Sequence, residues 1–329
     1  MGRKDLYSKR LLENAKNVAD VANFLLFKLG IVVSPEDVQR LDVEQAALGS
    51  KKIRRRVRDR LWRVSFTMGG REFAFILGIE VQSEICYDMP VRVMQYDALS
   101  YADQIKTCEA QHRQMADLTD AASFLSGSTR DDRFIPVVTV VLYFGKNRWD
   151  GALKLSDMLV TAPGMRALIQ EQMMHLIDPH RLTEQQLLMF ESEFREVFAF
   201  IKYADNWQKL TRFLKLHSKD RAIKGDAIDV INVFTKAKIK RVPRQEEVKM
   251  CQAIIDIQQI ARKEGRKEGI IEGEKRGEKR GVKLGEMKNL LANIRSLNKT
   301  LGLSDEEAMK ILRVPKAKRE AVREQLAKS

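Results

Sequence analysis

A glycine pair, Gly69-Gly70, divides two runs whose patterns suit neighbouring β-strands. RLWRVSFTM precedes it, with Leu61, Arg63, Ser65 and Thr67 alternating against Trp62, Val64, Phe66 and Met68. REFAFILGIEVQ follows, apolar without a break from Phe73 to Ile79. Two glycines between β-patterned runs predict a two-residue hairpin turn, whose central positions need positive φ. FIPVVTVVLYFG, residues 134–145, is β-branched and apolar on both faces. Such a run reads as a central strand buried on both sides.

Helical patterns surround these strands. LLENAKNVADVANFLLFKLG places apolar residues at helical spacing, and Ser34-Pro35-Glu36 predicts the start of a short second helix. The stretch from Asp88 to Leu118 reads as one long helix, with Pro90 near its start where a proline is tolerated. Residues 152–235 read as mostly helical, including LTEQQLLMFESEFREVFAFIKYA. The order helix, hairpin, helix, buried strand, helices implies an α/β core with a mixed sheet. A chain of 329 residues accommodates one such core and an appendage.

The last third differs in composition. In EGRKEGIIEGEKRGEKRGVKLGE glycine recurs every fourth residue, at 265, 269, 273, 277, 281 and 285. Each costs a helix roughly 0.8–1 kcal/mol against alanine, about 5 kcal/mol in all, so an isolated helix here is weak. Two readings stand: close packing of a homodimer along the glycine stripe, or a charged connector between domains. Ser304 with Glu307 forms a capping-box pattern, and Pro315 marks the turn into a further helix, so the tail predicts a small helical hairpin. The expected division is a core over 1–235, a basic glycine-periodic connector over 236–285 and a helical tail over 286–329.

The formal net charge is +14. From Lys236 onward there are 25 Lys and Arg against 14 Asp and Glu, so +11 of it lies in the last third. An excess of this size suits a polyanionic partner such as DNA, since each cation placed on a phosphate releases counterions; a basic surface with no such partner is the other reading. No run reaches the ~18 apolar residues that span a bilayer, and FLLFKLGIVV is interrupted by Lys28 and lacks a cleavage site, so neither a membrane span nor a signal peptide is expected. Cys86, Cys108 and Cys251 are odd in number and far apart, which suits a reducing cytoplasm. His112, His175, His180 and His217 show no metal-ligand spacing, Ser83 has no accompanying His–Asp pattern, and no phosphate-binding GxxxxGK[ST] occurs.

The chemistry is expected at the far end of the hairpin. With a two-residue turn and no bulge, opposed residues sum to 139, which sets Asp59 against Glu80. Directly opposed side chains stand about 4.5–5.5 Å apart at Cβ, where two carboxylates repel unless neutralised. Mg²⁺ or Mn²⁺ is a natural neutraliser of paired carboxylates. Gln82, two residues on, shares the face of Glu80. The alternative is that Asp59 and Glu80 are solvated strand ends paired with Arg58 or Arg60.

VRDRLWRV, ILGIEVQSEICYDMPVRVMQYDALSYA and RFIPVVTVVLYFGKNRWDG together resemble the Rpn family of recombination-promoting nucleases, also called transposases, within the PD-(D/E)XK nuclease superfamily. The likeness covers residues 1–235 and rests on E-x-Q-S, the M-P-x-R after it and a nearby tyrosine. It implies a central mixed β-sheet flanked by helices, a restriction-endonuclease-like core, here with an α-helical C-terminal extension. It also implies a Mg²⁺-dependent DNA endonuclease, a hydrolase of phosphodiester bonds serving recombination or mobile DNA. Asp59 and Glu80 then take the places of the two metal-binding acids, and Gln82 that of the usual lysine. Arg58 rather than proline precedes Asp59, and glutamine, unlike lysine, can only orient water. The alternative function is a non-catalytic DNA-binding protein on the same fold.

Other residues carry paired readings. Arg54, Arg55 and Arg56 hold the DNA backbone or form a solvated basic run. Arg92 and Tyr96, four apart on one helix face, touch phosphate or brace Glu80. Asp20 approaches the metal from the first helix or is a solvated helix acid.

Overall fold

The computed structural model describes residues 3–41, 60–235, 237–240 and 247–327. The chain divides into two compact units, Met1–Gln259 and Ile260–Ser329.

The first unit is built on a five-stranded sheet of order β1-β2-β3-β4-β5. Its strands are β1 (Val38–Arg40), β2 (Arg60–Met68), β3 (Arg71–Gln82), β4 (Val137–Tyr143) and β5 (His175–Ile177). β1, β2 and β3 pair antiparallel, whereas β3, β4 and β5 pair parallel, so the sheet is mixed. The apolar arm of the hairpin is the middle strand, in keeping with its lack of alternation.

Two apolar layers cover the sheet. On one face Trp62, Val64, Leu77, Ile79, Val140 and Leu142 join the main core. That core also takes residues from α1 (Arg3–Leu11), α2 (Ala15–Leu26), α6 (Phe194–Lys202), α7 (Trp207–His217) and α8 (Gly225–Phe234). On the other face Val141 and Tyr143 pack with Met89 and Val93 of α3 (Met89–Met115), and with Trp149 and Met174. Two short helices, α4 (Ala121–Ser126) and α5 (Glu184–Leu188), precede β4 and α6. A small antiparallel pair, β6 (Ala222–Lys224) with β7 (Glu247–Lys249), completes the strands.

Three expectations need correction. The first helical pattern is broken into α1 and α2, because Asn14 turns extended and caps α2 by accepting from the Lys16 amide at 3.0 Å. Ser34-Pro35-Glu36 makes a single 3₁₀ turn closed by a Ser34–Asp37 capping box, not a longer helix. Residues 152–182 are largely irregular and supply β5 rather than helix. Gly164 there adopts φ +83°, and Pro163 and Pro179 withhold the amides a helix would need.

α9 (Met250–Leu301) enters the second unit, where α10 (Asp305–Ile311) and α11 (Lys316–Ala327) follow it. Ser304 caps α10 in the expected box with Glu307. Ile294, Ala308, Met309, Val314 and Val322 form that unit's core. The six periodic glycines all lie in α9, and a methyl group at any of them would meet no atom within 4 Å. Alanine at Gly269, Gly273, Gly277 and Gly281 is therefore expected to add about 3–4 kcal/mol of helix propensity. The readout is a higher melting temperature of the circular-dichroism helix signal; a lower one would mean that the stripe packs against another chain. Among the described residues no helix is long and apolar enough to cross a membrane.

Candidate catalytic centre

The hairpin turns as its glycines dictate. Gly69 and Gly70 have φ +59° and +76°, and the arms pair without a bulge from Met68↔Arg71 to Arg60↔Ile79. Every opposed pair sums to 139, the register expected from the sequence. Asp59, the expected partner of Glu80, lies outside the described residues, as do Arg54, Arg55 and Arg56.

Glu80 is the buried acid of this sheet face, only 2% exposed. It sits near the C-terminal end of β3, opposite Val141 of the parallel neighbour β4. Because Leu77 and Ile79 point into the main core, the pleat sends Glu80 to the α3 side. A charge buried there needs a counter-charge. Arg92, in the first turn of α3, places Nη2 3.6 Å from Glu80 Oε2. The same guanidinium donates to Tyr96 Oη at 3.1 Å and to Cys86 Sγ at 3.3 Å. Burial works against the Arg92 charge, but the contacts to Tyr96 and Cys86 outweigh it, so its pKa is raised. Cys86 in turn donates to Asp88 Oδ1 at 2.8 Å, and burial followed by that bond pushes its thiol up. The pair expected to brace Glu80 thus does so, through Arg92 directly and Tyr96 behind it.

Gln82 is half-buried two residues beyond Glu80, and its carbonyl accepts from the Phe144 amide at 2.8 Å. It pairs with Tyr143, whose ring meets Trp149 edge-on at 5.2 Å between centroids. Burial, then the charges of Asp178 and Glu84, push the Tyr143 phenol up to about 12, so it stays neutral. The loop after β4 is fixed from β5: Asp178 accepts from the Trp149 amide at 3.0 Å, and Arg181 donates to the Trp149 carbonyl. α3 and this loop, through Trp149, pack together on the sheet face that carries Glu80.

One acid answers differently from either expected reading. Asp20 is neither solvated nor a bystander: it is buried and accepts from the Ser192 amide at 2.5 Å, tying α2 to the turn before α6. Arg60 pairs with Glu13 at 3.1 Å. Sequence reasoning missed Asp97, which is buried in α3 and accepts from Thr139 Oγ1 at 2.6 Å and Gln172 Nε2 at 3.1 Å. It pins α3 to β4, and its place directly after Tyr96 was the only local signal. Sequence reasoning found no metal-ligand spacing at His112, yet it stands with Cys108 and Asp132 in one cluster of ligand-type atoms. The i, i+4 spacing of Cys108 and His112 was visible; Asp132 comes from a loop twenty residues on.

Comparison with curated proteins and with solved structures gives no match. A family model does match, over residues 4–222, a span containing the whole sheet, Glu80, Gln82, Arg92 and Tyr96. By that match the chain belongs to the family described as "Putative transposase, YhgA-like".

Proposed function

We propose that the protein is a metal-dependent DNA endonuclease acting in transposition or recombination, in a reducing cytoplasm. Membership of a transposase family associates it with mobile DNA. The observation that carries the finer reading is Glu80: a buried carboxylate at the end of a central strand, met by a guanidinium at 3.6 Å. Burying such a group serves no packing purpose that an apolar side chain would not serve better. The hairpin register, which runs true to Arg60↔Ile79, supports Asp59 as its partner acid. The free thiols of Cys86, Cys108 and Cys251 fit the compartment.

The donor set fits a hard divalent cation, Mg²⁺ or Mn²⁺, since carboxylate oxygens are its preferred ligands. Glu80 and Asp59 would hold it. When bound, such an ion lowers the pKa of a water and offsets charge on the scissile phosphate. The chain's own groups do the rest. Gln82 orients a water through its amide but cannot take its proton. Arg92 fixes the Glu80 rotamer and, with Tyr96, offers donors to a phosphate oxygen. Arg54, Arg55 and Arg56 supply backbone contacts that carry no sequence information. The test is nicking of supercoiled plasmid by purified protein with Mg²⁺: activity is expected, and its abolition by EDTA. Nicking indifferent to EDTA would overturn the metal-dependent reading.

A second reading, a DNA-binding protein that does not cut, is favoured by one feature. The amide at Gln82 is a poor substitute for a catalytic lysine, because it cannot take a proton. It predicts no nicking, with DNA affinity that falls steeply as salt rises.

A further inference from the structure

The C-terminal half of α3 carries a second constellation, unconnected with Glu80. Cys108 and His112 are one turn apart on a single face of the helix. α3 ends at Met115, with Ala116 as its left-handed cap, and the chain returns past α4 to lay Asp132 against that face. Gly127 permits the return, because a Cβ there would fall 2.6 Å from Cγ of Glu109. One ligand atom each from Cys108, His112 and Asp132 then lie within 4.8 Å of one another.

The hydrogen bonding already resembles that around a bound metal. His112 Nε2 stands 3.0 Å from Asp132 Oδ1, while Nδ1 meets Asp117 Oδ1 at 2.8 Å. Asp132 Oδ2 is anchored by the Thr129 amide at 2.6 Å. In a tetrahedral site with bonds of ~2.0–2.2 Å, the nitrogen–oxygen edge is roughly 3.3–3.5 Å. The observed triangle needs only a slight expansion to admit an ion. A carboxylate on the far nitrogen of a ligating histidine is the usual outer support, fixing tautomer and ring orientation. A donor set of one sulfur, one nitrogen and one oxygen selects a borderline ion such as Zn²⁺ over Mg²⁺.

We propose that Cys108 Sγ, His112 Nε2 and an Asp132 oxygen form a binding site for Zn²⁺ or a similar divalent transition-metal ion, with Asp117 as its outer carboxylate. Thiolate and carboxylate together balance the ion's charge, and a water completes four-coordination. The ion clamps the segment leading into β4 onto α3. Arg92 and Cys108 are sixteen residues apart on one helix, about 24 Å, so this site is distinct from the one at Glu80.

The test is a titration of the reduced full-length chain with Co²⁺, a coloured substitute for Zn²⁺. One ion per chain and a sulfur-to-cobalt charge-transfer band are expected. Cys108→Ser is expected to remove the band and Cys251→Ser to leave it, while Asp117→Asn weakens binding roughly 10-fold. A readout free of variants is alkylation: Zn²⁺, but not Mg²⁺, should slow modification of Cys108 while exposed Cys251 reacts unchanged. Absence of the band in wild-type protein, its survival in Cys108→Ser, or Cys108 alkylation indifferent to Zn²⁺ would each overturn the site. His112 would then be an imidazole held between two carboxylates and nothing more.

Discussion

Glu80→Gln is expected to lower Mg²⁺-supported plasmid nicking by roughly 10³-fold, about 4 kcal/mol of transition-state stabilisation. The amide keeps the size and shape of the acid, so the buried end of β3 stays filled. What it loses is the charge proposed to hold a hard cation, which also balances Arg92, whose Nη2 stands 3.6 Å from the carboxylate. The fold should survive, which the unchanged circular-dichroism melt of the same preparation would establish. Asp59→Asn, at the other proposed ligand, is expected to match it. Wild type and both variants nicking equally would assign the activity to something other than this centre. Wild-type protein that binds DNA but never nicks it would support the non-catalytic reading.

The largest expected loss of stability lies away from that centre. Arg221→Met should cost about 3 kcal/mol, near the lower end of what breaking a buried ion pair costs because the guanidinium is itself partly exposed. Arg221 Nε donates to Glu196 at 2.8 Å, and its Nη2 donates to the carbonyls of Glu191 and Ser192 at 2.9 and 2.8 Å. Glu196 is wholly buried and otherwise keeps only the Ser218 hydroxyl, at 2.6 Å, among its hydrogen bonds to described side chains. Asp20 holds the same turn from the opposite direction through the Ser192 amide. Methionine preserves the aliphatic stem and strands the carboxylate. Urea unfolding followed by tryptophan fluorescence should show a lower midpoint with an unchanged slope. An unchanged midpoint would mean that solvent already satisfies Glu196.

The parts of this molecule that could be read from sequence are those whose cause is local. Gly69-Gly70 sets turn and register together, so the alignment of β2 with β3 followed from two residues and a period of two. The β-branched run at 137–143 reads as a strand covered on both faces, and it is one. The i, i+4 relation puts Arg92 and Tyr96 on one helix face, where the first donates to the second. Where the cause is a distant contact, the sequence is silent. β5 is three residues long and exists because β4 offers it an edge. Asp97 meets Gln172 across seventy-five positions, and Asp132 meets His112 across twenty.

The sheet's uneven pairing has a last consequence. β4 joins β3 only from Ile76 onward, and β1 reaches β2 only from Trp62 to Val64. The outer ribbon around Phe66 and Phe73, whose rings stack at 5.8 Å, has just two strands to sustain it. Two-stranded ribbons are marginal in water, so amide exchange should begin at the Gly69 tip and unzip inward as far as Ile76, where a third strand arrests it. Fraying of the arm would then be absorbed four residues short of the carboxylate, and the end of the hairpin that carries Glu80 would stay still while its tip breathes.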